Sequence, residues 1–119
     1  MKIGSPSAGL TVTEKTLKER PDMVRKLSRA FLRALRLIQD NGEATKRIMA
    51  KWLNQSPQIA ADSYDLIVSS FSRNGEADEI TLKAVIEARR KSGKVEKEIP
   101  LEQVVDFRIV REARKELGL

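Results

Sequence analysis

The longest run of regular hydrophobic spacing in the chain is PDMVRKLSRAFLRALRLIQD, residues Pro21 to Asp40. Its apolar residues Met23, Val24, Leu27, Ala30, Phe31, Ala34, Leu35, Leu37 and Ile38 recur at helical spacing and fill an arc of about 160° on a helical wheel. A helix with one neighbour needs a stripe of only about 100°, so the width predicts a central helix contacted on two sides, with Leu27, Phe31 and Ile38 in the core. The polar positions are as regular. Arg25, Arg29, Arg33 and Arg36, with Lys26 beside them, form a basic ridge opposite the arc. Such a ridge is either a row that neutralises phosphates or a solvated outer face. The solvated face is the expectation, because an outward charge row is what any exposed amphipathic helix carries.

The rest of the pattern predicts further helices between clear breaks. Thr13 is an N-cap for a short helix through Arg20, and Pro21 ends that helix and starts the next. After the break at Asn41-Gly42, Glu43 to Leu53 resumes the helical period with Ala44, Ile48, Met49, Trp52 and Leu53 on one side, and Trp52 reads as a packing residue. Ser56-Pro57 starts a helix whose inner face is Ala60, Tyr64, Ile67, Val68 and Phe71. Ser72 to Asp78 is a polar loop in which Gly75 is free to take a positive φ. Asp78 caps a helix from Glu79 to Lys91, with Ile80, Ala84, Val85 and Ala88 inward and Gly93 at the C′ position. Lys94 to Ile99 reads as an extended connector, and Pro100 opens a short helical turn through Val104. Asp106 then caps Phe107 to Leu117, with Val110, Ala113 and Leu117 inward and Gly118 closing.

Residues 1–9 are rich in Gly, Ser, Pro and Ala and read as a flexible lead-in. Leu10 to Val12 has the β-propensity of a short strand, for which the chain offers no evident partner. The expectation is therefore one all-α domain over residues 10–119, with about six helices and that short strand at its N-terminal edge. No repeat of the length that signals a solenoid is present.

Composition narrows the chemistry more than it directs it. The 119 residues include no His and no Cys, which removes the usual zinc, thiol and Ser-His chemistry. No phosphate-cradling glycine motif occurs, and the carboxylates, such as Glu87 near Lys91 or Glu112 and Glu116 among Arg111, Arg114 and Lys115, read as surface ion-pair partners. The chain is accordingly not expected to be an enzyme, and no catalytic residue, metal ligand or cofactor is assigned. A net charge of +6 favours an acidic partner, while 4% aromatic residues argue against a base-stacking platform. Neither a signal-peptide core nor an apolar segment long enough to span a bilayer is found, so no membrane insertion is expected.

Taken in order, GLTVTEKTLKERPDMVRKLSRAFLRALRLI, EATKRIMAKWL, SPQIAADSYDLIVSSFSRNG and VVDFRIVREARKELG resemble the C-terminal portion of the substrate-binding proteins of ABC importers, in the nitrate, sulfonate, taurine and thiamine-pyrimidine-precursor branch. The resemblance runs from about Gly9 to Gly118 and lies in the order of the pieces. It implies a full-length protein of two α/β lobes, a small-molecule ligand, an ABC permease as partner and a periplasmic or otherwise extracytoplasmic location. This chain would be a helical fragment of that plan. Its missing signal peptide and the lone strand Leu10 to Val12 then follow from the missing first part, and no ligand-contacting position is carried over. The fragment is expected to self-associate as a dimer through apolar surface left bare, and to bind no ligand alone. The competing reading is a free-standing basic helical module that binds nucleic acid or another acidic partner.

Overall fold

The computed structural model describes residues 8–119. Six α-helices follow one another: α1 Glu14–Glu19, α2 Pro21–Asp40, α3 Gly42–Trp52, α4 Pro57–Ile67, α5 Glu79–Ser92 and α6 Arg108–Glu116, with single 3₁₀ turns at Val68–Ser70 and Leu101–Gln103. The starts are set by local chemistry. Thr13 Oγ1 accepts from Thr16 N (3.1 Å), Asn41 Oδ1 from Ala44 N (3.1 Å), Ser56 Oγ from Ile59 N (3.3 Å) and Asp78 from Ile80 and Thr81, each satisfying a donor the helix leaves free. Proline occupies the first position of α2 and of α4.

Helices α3, α5 and α6 end alike, on a residue in the left-handed region followed by a backbone bond that reaches back five residues. The left-handed residues are Asn54 (φ 50°), Lys94 (φ 53°) and Gly118 (φ 68°), and the bonds are Gln55 N to Ala50 O, Val95 N to Arg90 O and Leu119 N to Arg114 O. The turn after α5 therefore places its left-handed residue at Lys94, one position beyond the expected Gly93.

Helix α2 is the centre of the array, packing against α6, α3 and α1, while α3 and α4 form a hairpin and α5 lies against the Leu101–Gln103 turn. Two-sided contact of α2 is thus observed, but the inward sector differs from the expected one. Val24, Ser28, Leu32 and Leu35 are buried, Leu32 almost completely, whereas Phe31 and Ile38 are half-buried and Leu27 is 41% exposed. The buried sector is turned by about 90° from the middle of the apolar arc, toward the arginines. The cause is α6, whose Ala113 (2% exposed) allows its backbone to approach the Leu32 side of α2.

Other inner faces shift in the same way. Thr45 is the buried residue of α3, its hydroxyl donating to the carbonyls of Asn41 (2.9 Å) and Leu37 (3.3 Å), while Ile48, Trp52 and Leu53 are exposed. Trp52 is not a packing residue: it ends α3, beyond the part of that helix that the rest of the array covers, and is 78% exposed. In α4, Ala60 and Tyr64 are buried as expected and Ile67 is not. In α5 the buried residue is Leu82, while Ile80 and Ala88 face solvent.

The strand expected at Leu10 to Val12 does not form, and no strand occurs among the described residues. These three residues are exposed and irregular, since an isolated strand has no neighbour for its backbone donors and acceptors. Of the lead-in expected over residues 1–9, residues 1–7 lie outside the described residues.

Candidate functional site

The polar loop after α4 is where the chain's specific polar contacts converge. It crosses the junction of α2 and α6, and Gly75 is its closest point. With φ at +77°, a Cβ there would lie 2.9 Å from both Leu32 Cδ2 and Val110 Cγ2, so a side chain would have to displace the core. Glycine therefore solves two problems at one position, backbone handedness and space.

Side chains then fasten the loop. Gln39 Nε2 donates to Phe71 O (2.8 Å), and Arg73 pairs with Asp40 (3.3 Å). Ser72 Oγ and Glu76 N both donate to Asn74 Oδ1, at 2.7 and 2.9 Å, which closes the tip of the turn. Glu76, with its side chain 13% exposed, receives Arg111 (2.7 Å) and Arg114 (3.0 Å), and Arg114 also donates to Asn74 O (3.2 Å). The Arg111 hydrogen bonds hold the Glu76 carboxyl below the usual carboxylate range against the opposing effect of burial, and the charge of Arg114 adds to the shift. Two polar atoms on the neighbouring turn of α2, Arg36 Nε and Gln39 Oε1, are buried without a partner.

The basic ridge is not a free solvated face. Arg29 pairs with Glu116 (2.7 Å), Arg25 reaches Asp22 (3.1 Å) and Glu112 (4.0 Å), and Arg36 is half-buried. Arg33 and Lys26 are the exposed members. The ridge borders α6 because the buried sector of α2 includes Leu32, the apolar residue nearest the arginines on the wheel.

Two open depressions lie near α5. One, of about 370 Å³, is bordered by Lys83, Glu87, Arg90 and the segment 98–101; the other, of about 520 Å³, by Glu79, Phe107, Arg108 and Arg111 among others. Most of their charged groups are paired, while Glu98 and Glu102 have no ion-pair partner among the described residues. Arg90 takes Glu87 (2.7 Å) and also donates to Val95 O (2.9 Å), which ties the connector back to α5, and Arg108 takes Asp106 (2.7 Å). Every resolved shift here favours the charged form: Arg90 hydrogen bonds lower Glu87 to about 2, Arg108 hydrogen bonds lower Asp106, and Glu79 raises Lys83. General acid-base work needs a group moved toward neutrality, and these are moved away from it. No group of three or more potential metal-ligating side chains occurs among the described residues.

The polar loop was legible in the sequence as turn chemistry; the Glu76, Arg111 and Arg114 cluster was missed, although Arg111 and Arg114 at a spacing of three share a helix face. No family model, curated protein or solved structure matches this chain.

Proposed function

We propose that this chain is the helical C-terminal portion of an extracytoplasmic solute-binding protein that delivers a small ligand of the sulfonate, nitrate, taurine or pyrimidine-precursor class to an ABC importer, and that it does not hold the ligand by itself. The observation that carries the reading is an uncovered seam on the central helix. Met23, Leu27, Ala30, Ala34 and Leu37, spaced four, three, four and three, are all exposed on one stripe of α2. A stripe of that length on the central helix is what remains when the sheet and helices of a larger lobe are not there to cover it. The spread of the chain agrees: its radius of gyration is 16.8 Å, against about 13–14 Å for a compact domain of this length. The depressions are open, which suits a piece that cannot enclose a ligand alone.

The test is to join the chain to the polypeptide encoded immediately upstream and titrate the product with taurine, nitrate and pyrimidine candidates by calorimetry. Micromolar binding by the joined protein and none by this chain alone is the expected result. An upstream region that encodes no first lobe, beside regulatory genes rather than permease and ATPase genes, overturns the proposal.

The reading as a nucleic-acid-binding module has less behind it, because Arg25, Arg29, Arg111 and Arg114 are engaged with carboxylates. DNA affinity is expected to be weak, indifferent to sequence and lost steeply as salt rises. Submicromolar, sequence-dependent binding at physiological salt would establish that reading instead.

A further inference from the structure

The loop end of the α3–α4 hairpin gathers a second set of exposed apolar side chains, unrelated to the α2 seam. Trp52 is 78% exposed, Leu53 57% and Ile59 52%, and Ile48 lies one turn before Trp52 on the same stripe of α3. The adjacent stripe carries Arg47 and Lys51, also one turn apart, both exposed and in no ion pair among the described residues. From Ala44 to Ala61 the sequence contains no Asp or Glu. The nearest acids on the two helices are occupied: Glu43 and Asp65 by Lys46, at 3.8 and 3.3 Å, and Asp62 by Gln58 Nε2 (2.8 Å). The charged groups that project at the link itself are thus cationic only, set among apolar side chains and the neutral polar residues 54–56.

We propose that the hairpin end docks on the headgroup layer of an anionic lipid bilayer. The surface is carried by two helix ends joined by the four-residue link 53–56. An indole flanked by aliphatic side chains and by unpaired Lys and Arg is the combination that settles at an anionic membrane surface, the ring at headgroup depth and the cations against lipid phosphate. Docking needs no unfolding, because the hairpin is held from its other side by Thr45, Ala60 and Tyr64, whose hydroxyl donates to Ile38 O (2.6 Å). The contact is superficial, since no helix of the described residues is long and apolar enough to cross a bilayer. It is separate from solute binding and does not depend on it.

Trp52 is the sole tryptophan, so its emission reports this surface directly. With vesicles of phosphatidylglycerol mixed into phosphatidylcholine, the emission maximum moves to shorter wavelength and the protein pellets with the vesicles; both effects diminish in about 0.5 M salt. Leu53→Glu and Lys51→Glu keep the indole, alter exposed side chains and leave the circular dichroism unchanged, and each lowers the pelleted fraction about tenfold at fixed lipid. Absence of any shift with the anionic vesicles, equal binding to pure phosphatidylcholine, or undiminished binding by both variants overturns the proposal. So does a shift that appears with protein concentration alone, which would place a second copy on the surface, or an equal shift with poly-glutamate, which would place an acidic polypeptide there.

Discussion

Gly75 and Leu32 form a pair whose coupling tests the central packing of the fold. Gly75→Ala places a residue with a Cβ at φ +77°, which costs about 1–2 kcal/mol for an L-residue. It also drives that Cβ to 2.9 Å from Leu32 Cδ2 and Val110 Cγ2, and overpacking of a close-fitted site costs about 1–3 kcal/mol. The single substitution should therefore lose about 2–5 kcal/mol. Leu32→Ala, at the most deeply buried large side chain, should lose a similar amount, about 2–5 kcal/mol, by emptying its site. In the double variant the cavity left by Leu32 receives one side of the new methyl group while Val110 still opposes it. Its loss should fall short of the sum by about 0.5–1.5 kcal/mol. Urea denaturation followed by circular dichroism measures all four corners of the cycle. Additivity to within about 0.3 kcal/mol, or a Gly75→Ala loss below about 0.5 kcal/mol, would mean that the loop does not press on the α2–α6 junction.

Along α2, Leu27→Ala should cost less than about 1 kcal/mol and Phe31→Ala about 2, well short of Leu32→Ala; a Phe31→Ala loss of about 3–5 kcal/mol by the same denaturation assay would turn the helix back toward its expected face. Glu76 has a folded pKa depressed below its ordinary 4.5, so its contribution is complete above about pH 4.5 and declines as pH falls through the folded value. Glu76→Gln should thus be less stable than the parent by about 1–2 kcal/mol near neutrality, and the gap should narrow on acidification; a pH-independent gap in urea midpoints refutes the ionic latch. The α2 seam should make the isolated chain dimeric in light scattering coupled to size exclusion, and Leu27→Asp should return it to monomer. A strictly monomeric parent at high concentration contradicts this.

Helix number and most helix starts were legible because their causes are local; α6 differs, starting at Arg108 with Phe107 rather than Asp106 at the cap, and α4 gives way to a 3₁₀ turn after Ile67 instead of running on to Phe71. Thr13, Ser56 and Asp78 each accept from backbone donors two or three residues ahead, and the span Pro21–Asp40 of α2 agrees with its sequence pattern at both ends. Helix faces were not, for a reason visible in α2. Its apolar positions, once Leu32 is included, cover about 220° of the wheel, while one row of neighbours covers about 100°. Which part turns inward depends on α6, far along the chain. The burial of Leu82 in place of Ile80 in α5 has the same character: both residues are aliphatic, and spacing alone does not rank them.

Charge presents the converse case. Met23 to Gln39 holds five cations and no carboxylate, so the sequence gives no sign of which members of the row Arg25, Arg29, Arg33 and Arg36 find a partner. Folding decides it by bringing α6 alongside, and Arg29 is spent on Glu116 at 2.7 Å. A stretch from which one sign of charge is missing is therefore informative only together with the fold. Ala44 to Ala61 is such a stretch as well, and there folding brings no carboxylate to Arg47 or Lys51. The exposure of Trp52 has no such signature, because an aromatic residue at the last position of a helical stripe fits a packed interior as well as it fits a projecting end. Segregated cations and an exposed indole at the same end of a hairpin make the surface unusual together, although neither would be so alone.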